Sequence, residues 1–298
     1  MSVRRTLPQR ARSLIGAWCF VDLYGPDDLS VSQPMRVPRH PHTGLATVSW
    51  LFSGHIDHID SAGHTATVHP GEVVLMNAGR GITHSEDSTP ETSVLHGAQL
   101  WYAFPEAHRH TEPSLERHQP EAVRGDGWQA TVFLGSLLGS SSPVSTYLPL
   151  SGVELRLSPH AALDIPVPLG HEHGLLSIEG APSLNGAQIS RDHIGVAGVG
   201  HTLLRVEAGD KPVLALLLGG EPLGEQILMW WNFVGRSHEE IVAYRQAYQS
   251  EMGFDSPADD DVAHQHAPSA PLFGEFPAGQ PLPLPAPALP STRLKPRG

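Results

Sequence analysis

Two short patterns constrain this chain more than anything else in it: His40-Pro41-His42 and His84-Ser85-Glu86. In an extended strand, residues two apart point to the same face. If both stretches are strands, His40 and His42 share a face, and so do His84 and Glu86. The chain between them has room for two or three short strands. An antiparallel sheet closed into a barrel then brings the two pairs together inside it. Three imidazoles and one carboxylate suit a first-row divalent metal, with positions left over for water or substrate.

Spacing alone is weak evidence, because the chain has 19 His. The His-x-His pattern recurs at His108/His110, His171/His173 and His264/His266, and isolated pairs of this kind are mostly solvated. The first pair stands out through its surroundings. It is followed by the strand-like run Thr47 to Phe52, by Gly54, by a turn at Gly63, by Thr65 to Val68, and by the apolar run Val73 to Met76. His84 and Glu86 come directly after. This reads as a small all-β barrel with two metal-bearing hairpins. Pro41 cannot donate to a ladder, so its strand should begin at an edge or rim, where a site open to ligand would lie. Gly79 and Gly81 let the backbone approach the metal region closely. Over Val94 to Phe104, alternation sets Gln99 and Trp101 on one face, with Gln99 a pocket residue, and leaves His96 on the other.

These residues resemble the pirin family of the cupin superfamily. The likeness rests on His40-Pro41-His42-Thr43-Gly44, Pro70-Gly71, Ala78 to Ile82, His84-Ser85-Glu86, Gln99-Leu100-Trp101, Leu218 to Leu223, and Asn232 to Ile241. It spans roughly residues 5 to 250. It implies two tandem cupin barrels (jelly rolls, or double-stranded β-helices), with metal, typically iron as Fe(II), in the first only. Carried over by position, it implies His40, His42, His84 and Glu86 as ligands. Many members carry a Glu where this chain has Ala46; Glu86 then has to supply the carboxylate.

The rest of the chain fits that organisation. A length of 298 residues allows two domains, and 30 Gly with 28 Pro suit many turns between short strands. The expected division is a metal-binding domain over 1–138, a second cupin domain over 139–250 that starts at the Gly139 to Val144 crossing, and a tail over 251–298. In the second half, His171 and His173 lack a following His-x-Glu, so no second metal is expected there. Trp230 to Phe233 is expected at the barrel interface. A short helix should start at Ser237, its N-cap, and run to about Tyr248. The Pro/Ala-rich tail lacks apolar periodicity and is expected to be disordered.

A formal net charge of -12 argues against direct nucleic-acid binding. The single Cys19 excludes an intrachain disulfide and suits a cytoplasmic location; no membrane span is expected. The resemblance implies a quercetin 2,3-dioxygenase-like activity on flavonols or other substrates with vicinal oxygens. There the metal would polarise an enol oxygen, Glu86 would take its proton, and O2 would add with loss of carbon monoxide. The alternative it implies is a non-catalytic, iron-dependent redox sensor acting through a regulatory protein partner.

Overall fold

The computed structural model describes residues 2–254 and 271–298. The first barrel contains β1 (Val3–Leu7), β2 (Trp18–Asp28), β3 (Arg36–His42), β4 (Leu45–Ser53), β5 (Ile56–Asp60), β6 (Thr65–Val68), β7 (Val73–Asn77), β8 (Ile82–Ser88), β9 (Val94–Ala103) and β10 (Ser114–His118). They form two sheets, in the orders β1-β2-β9-β4-β7-β10 and β3-β8-β5-β6. The second, smaller sheet carries both metal-type pairs. The chain is thus all-β, as two tandem cupin barrels require.

Alternation along the strands divides the labour of the large sheet. On β9, Ala98, Leu100 and Tyr102 enter a core shared with the second barrel, whereas Gln99 and Trp101 line a cavity inside the first. On β4, Val48 and Trp50 face the shared core, and Ser49 between them donates to Gln99 Oε1 at 2.9 Å. The expected alternation over Val94 to Phe104 is therefore observed. His96 sits away from the cavity, its ring 4.8 Å from that of Phe52.

The second barrel begins earlier than expected. β11 (Ala122–Gly125) pairs with β12 (Trp128–Leu134), and β12 pairs with Leu150–Leu157 from Trp128↔Leu157 to Leu134↔Gly152. Both strands therefore belong to the second large sheet, although a division at 138/139 puts them in the first. The glycine- and serine-rich stretch at 139–144 marks a local turn. It belongs to a two-residue-strand hairpin, Ser136–Leu137 with Ser140–Ser141, and is not the crossing.

Burial of large aromatics holds the two barrels together. Trp18, Trp50, Tyr102 and Phe133 are all fully buried; Trp50 stacks on Phe133 with ring centroids 4.6 Å apart and donates Nε1–H to Glu154 at 2.8 Å. Each such side chain stabilises by roughly 1.5–3 kcal/mol through area removed from water. The Trp230 to Phe233 cluster, expected at this interface, lies elsewhere. It forms the hairpin Leu228–Trp230/Phe233–Gly235, which returns to the first barrel: Val234 N–H donates to the Thr43 carbonyl at 3.0 Å.

Helix α1 (His238–Glu251) follows, and its N-cap Ser237 accepts from Glu240 N–H at 3.2 Å. Buried Arg109 ties α1 to the first barrel through Glu240 at 2.6 Å and the Tyr244 hydroxyl at 3.1 Å. The expected disordered tail divides in two. Residues 255–270, with His264 and His266, lie outside the described residues. Residues 271–298 contain no helix or strand but are packed. Phe273 is fully buried against Tyr248 and Phe233, Thr83 donates to the Phe273 carbonyl at 3.1 Å, and Leu284 N–H donates to the Arg39 carbonyl at 2.8 Å. Composition hid this because a few anchors suffice to fix a chain that lacks periodicity. No helix among the described residues is long and apolar enough to cross a membrane.

Candidate metal centre

The smaller sheet sets the geometry. β8 lies between β3 and β5, with His40 opposite His84 on one side and His58 opposite Glu86 on the other. A bulge between Val37 and His40 shifts the register, so Val37 rather than Pro38 faces Glu86. His40, His42, His84 and Glu86 are each 7% exposed or less. The loop into β8 depends on Gly79, whose φ is +49°. A Cβ there would lie 1.9 Å from the Thr111 carbonyl oxygen.

His40, His42 and His84 offer ring nitrogens that all lie within 4.8 Å of one another. The Nε2 atoms of His42 and His84 are 3.1 Å apart. That matches neighbouring positions around an ion about 2.1 Å from each nitrogen. His40 Nδ1–H is engaged by the Pro38 carbonyl at 2.9 Å, which leaves its Nε2 for the cavity. Burial keeps these rings neutral. It lowers His40 to about 4, and burial together with the neighbouring imidazoles holds His42 and His84 well below the ordinary value. Neutral lone pairs converging in a buried space fit a first-row divalent metal.

Glu86 joins the site through a second, overlapping group. Its carboxylate falls in a second group with His58 and His84, and Ser49 Oγ lies 3.4 Å from Glu86 Oε1. Burial raises its pKa, against the opposing pull of His58 and the Ser49 hydrogen bond. Three of the four expected ligands therefore converge, and the fourth lines the same cavity beside them. That cavity measures about 160 Å³. Trp101 forms part of its wall, stacked on Phe20 at 3.8 Å and edge-on to His42 at 4.9 Å. Tyr24 Oη and Trp101 Nε1 are buried without partners, and both residues line the cavity. Gln99 lines it too. Arg80 instead binds Glu112 at 3.1 Å.

His58 and Asp60 escaped the sequence reading. Both are buried, and their His-x-Asp spacing in an extended run is the signal that could have found them. In the second barrel, the His171 and His173 rings lie 6.2 Å apart. Among the described residues no third His, Cys, Asp or Glu joins them in a metal-sized group.

The comparisons with known proteins agree with this architecture. Residues 1–102 match the Pirin family model, and residues 152–254 match that of the pirin C-terminal cupin domain. A Pseudomonas aeruginosa protein named provisionally as a quercetin 2,3-dioxygenase is 37% identical over 254 residues, 84% of this chain and 79% of its own length. Human pirin is 32% identical over 223 residues, 72% of this chain and 77% of its own. The crystal structure of quercetin 2,3-dioxygenase from Acinetobacter baumannii superposes with a TM-score of 0.86 at 34% identity, covering 97% of this chain and 91% of that one.

Proposed function

The chain belongs to the pirin family, and from that premise we propose that its first barrel is a metal-dependent dioxygenase for a small substrate with adjacent oxygen atoms. The observation that carries this reading is the set of three neutral, convergent imidazoles beside a carboxyl of raised pKa in one cavity. His40, His42 and His84 would hold the ion, and Glu86 would complete the set by a side-chain rotation. Iron is the metal we favour. When bound, it supplies Lewis acidity and one-electron chemistry toward dioxygen. The names borne by the Pseudomonas and Acinetobacter proteins support the same activity.

The chain's own residues then have separable tasks. Glu86, whose raised pKa makes it a better base than an exposed carboxylate, takes the proton of an enol hydroxyl. The unpartnered Tyr24 hydroxyl and Trp101 N–H offer hydrogen bonds to substrate oxygens. The Phe20–Trp101 stack keeps water off the reacting face.

One observation favours a second reading. A cavity of about 160 Å³ is below the roughly 300–1,000 Å³ common for ligand pockets. A flavonol would need outward movement of the wall, for example at half-exposed Val3 on the edge strand β1. A redox sensor that signals to a protein partner needs no such room. Oxygen uptake by iron-loaded protein with quercetin separates the two. Uptake with carbon monoxide release, lost in Glu86→Gln, supports the dioxygenase. Full iron loading with no uptake on any vicinal diol or enol offered would refute it and favour the sensor.

A further inference from the structure

Behind the metal-type cluster runs a second line of polar groups that ends on His84. Asp60 on β5 is fully buried. Its Oδ1 accepts from the backbone N–H of Ala62 at 2.9 Å and of His64 at 3.0 Å. Its Oδ2 faces His58 Nε2 at 3.3 Å and His64 Nδ1 at 3.0 Å. On the far side of the His58 ring, Nδ1 lies 3.4 Å from Nδ1 of His84. Asp60, His58 and His84 thus form one continuous chain of contacts that ends on a residue of the cavity.

The chain has a direction, because its first member can only accept. Two backbone N–H groups and two imidazoles converge on Asp60. All four face it as donors, which is the environment of an ionised carboxylate. An ionised carboxylate is acceptor-only. A neutral His58 then carries its proton on Nε2, facing that carboxylate, which leaves Nδ1 with a bare lone pair. His84 must then carry its own proton on Nδ1 and donate it to His58. That leaves His84 Nε2, the atom 3.1 Å from His42 Nε2, with its lone pair turned toward the cavity.

We propose that Asp60 and His58 are positioning residues that fix the tautomer of His84, so that its Nε2 is presented unprotonated to a metal ion before the ion arrives. Metal-binding histidines are commonly oriented by a carboxylate on the other ring nitrogen. Here the carboxylate acts at one remove, through a second imidazole. The proposal rests on the metal reading of His84 for its purpose but not for its first test, which is made on metal-free protein.

Asp60→Asn is the discriminating variant, because the backbone dictates its orientation. The N–H groups of Ala62 and His64 hold the amide oxygen at the place of Oδ1. The amide NH2 then takes the place of Oδ2 and donates to His58 Nε2. His58 must move its proton to Nδ1, and His84 must move its own to Nε2, where it blocks coordination. Long-range 15N–1H correlation spectra of the metal-free wild type should show His58 as the Nε2–H form and His84 as the Nδ1–H form. In Asp60→Asn both assignments should invert, and Co(II) titration should show affinity reduced by about 10–100-fold. His64→Ala, which leaves the Asp60–His58–His84 contacts in place, should keep the wild-type tautomers. A wild-type His84 protonated at Nε2 overturns the proposal whether or not any variant folds. So does a folded Asp60→Asn with wild-type tautomers. If the tautomers invert but Co(II) affinity is unchanged, the relay does not serve metal binding and the proposal fails there. If the wild type binds no Co(II) at all, the metal reading fails, and the tautomer result still stands on its own.

Discussion

Phe273→Ala tests how firmly the C-terminal segment is built into the first barrel. Phe273 has no solvent exposure, and its ring lies 5.3 Å from that of Tyr248 and 6.0 Å from that of Phe233. Its carbonyl accepts from Thr83, on the strand that carries His84 and Glu86. Truncating a buried Phe costs about 3–5 kcal/mol, through lost transfer energy and the cavity left behind. For a chain of this size that lowers Tm by roughly 5–8 °C. Phe276 is the internal control. It is only half-buried, and its ring carries the Arg39 guanidinium 4.7 Å from the centroid. Such a contact contributes about 0.5–1 kcal/mol, so Phe276→Ala should shift Tm by no more than about 2 °C. Differential scanning calorimetry of both variants makes the comparison. Equal and small shifts would refute the packing argument and restore a loose tail.

Three further outcomes follow from buried groups elsewhere. Arg109→Leu leaves part-exposed Glu240 without its guanidinium partner and should destabilise by about 1.5–3 kcal/mol, read by urea denaturation; a loss under 1 kcal/mol would mean α1 is held by its apolar contacts alone. Gly79→Ala drives a Cβ into the Thr111 carbonyl from a left-handed backbone and should cost roughly 3 kcal/mol, with metal binding weakened in parallel; wild-type stability would show that the loop can relax. Burial, aided by neighbouring His171, lowers the pKa of His173 from 6.5 to about 4. The unfolded ring takes a proton below pH 6.5, whereas the folded ring resists until about pH 4. Stability is therefore lost as pH falls across that window, by up to about 3 kcal/mol. His173→Phe should flatten that part of the pH–stability curve, and an unchanged slope would assign the acid sensitivity to other groups.

The pairs His40/His42 and His84/Glu86 were legible because strand alternation converts a spacing of two into a shared face. The same rule sorted Gln99 and Trp101 from His96. What alternation cannot supply is register between strands. The bulge between Val37 and His40, and the placing of Glu86 opposite His58, are set by pairing across the sheet. They set His58 beside Glu86, and that neighbour is not visible in the spacing of either pair. The boundary before β11 was missed because glycine and serine mark turns without saying which sheet the next strand joins. The packed segment after residue 270 was missed for a related reason. Phe273 and Ala286 are isolated buried anchors, and isolated anchors make no period.

Metal content tests the site most directly. Protein purified without oxygen and loaded with Fe(II) should hold about one ion per chain, the number that one cluster of three to four ligands can take. His42→Ala should remove it, while Glu86→Gln should keep the fold and bind more weakly. An unloaded wild type after Fe(II) treatment, or a His42→Ala variant that still holds its ion, would contradict the site as described.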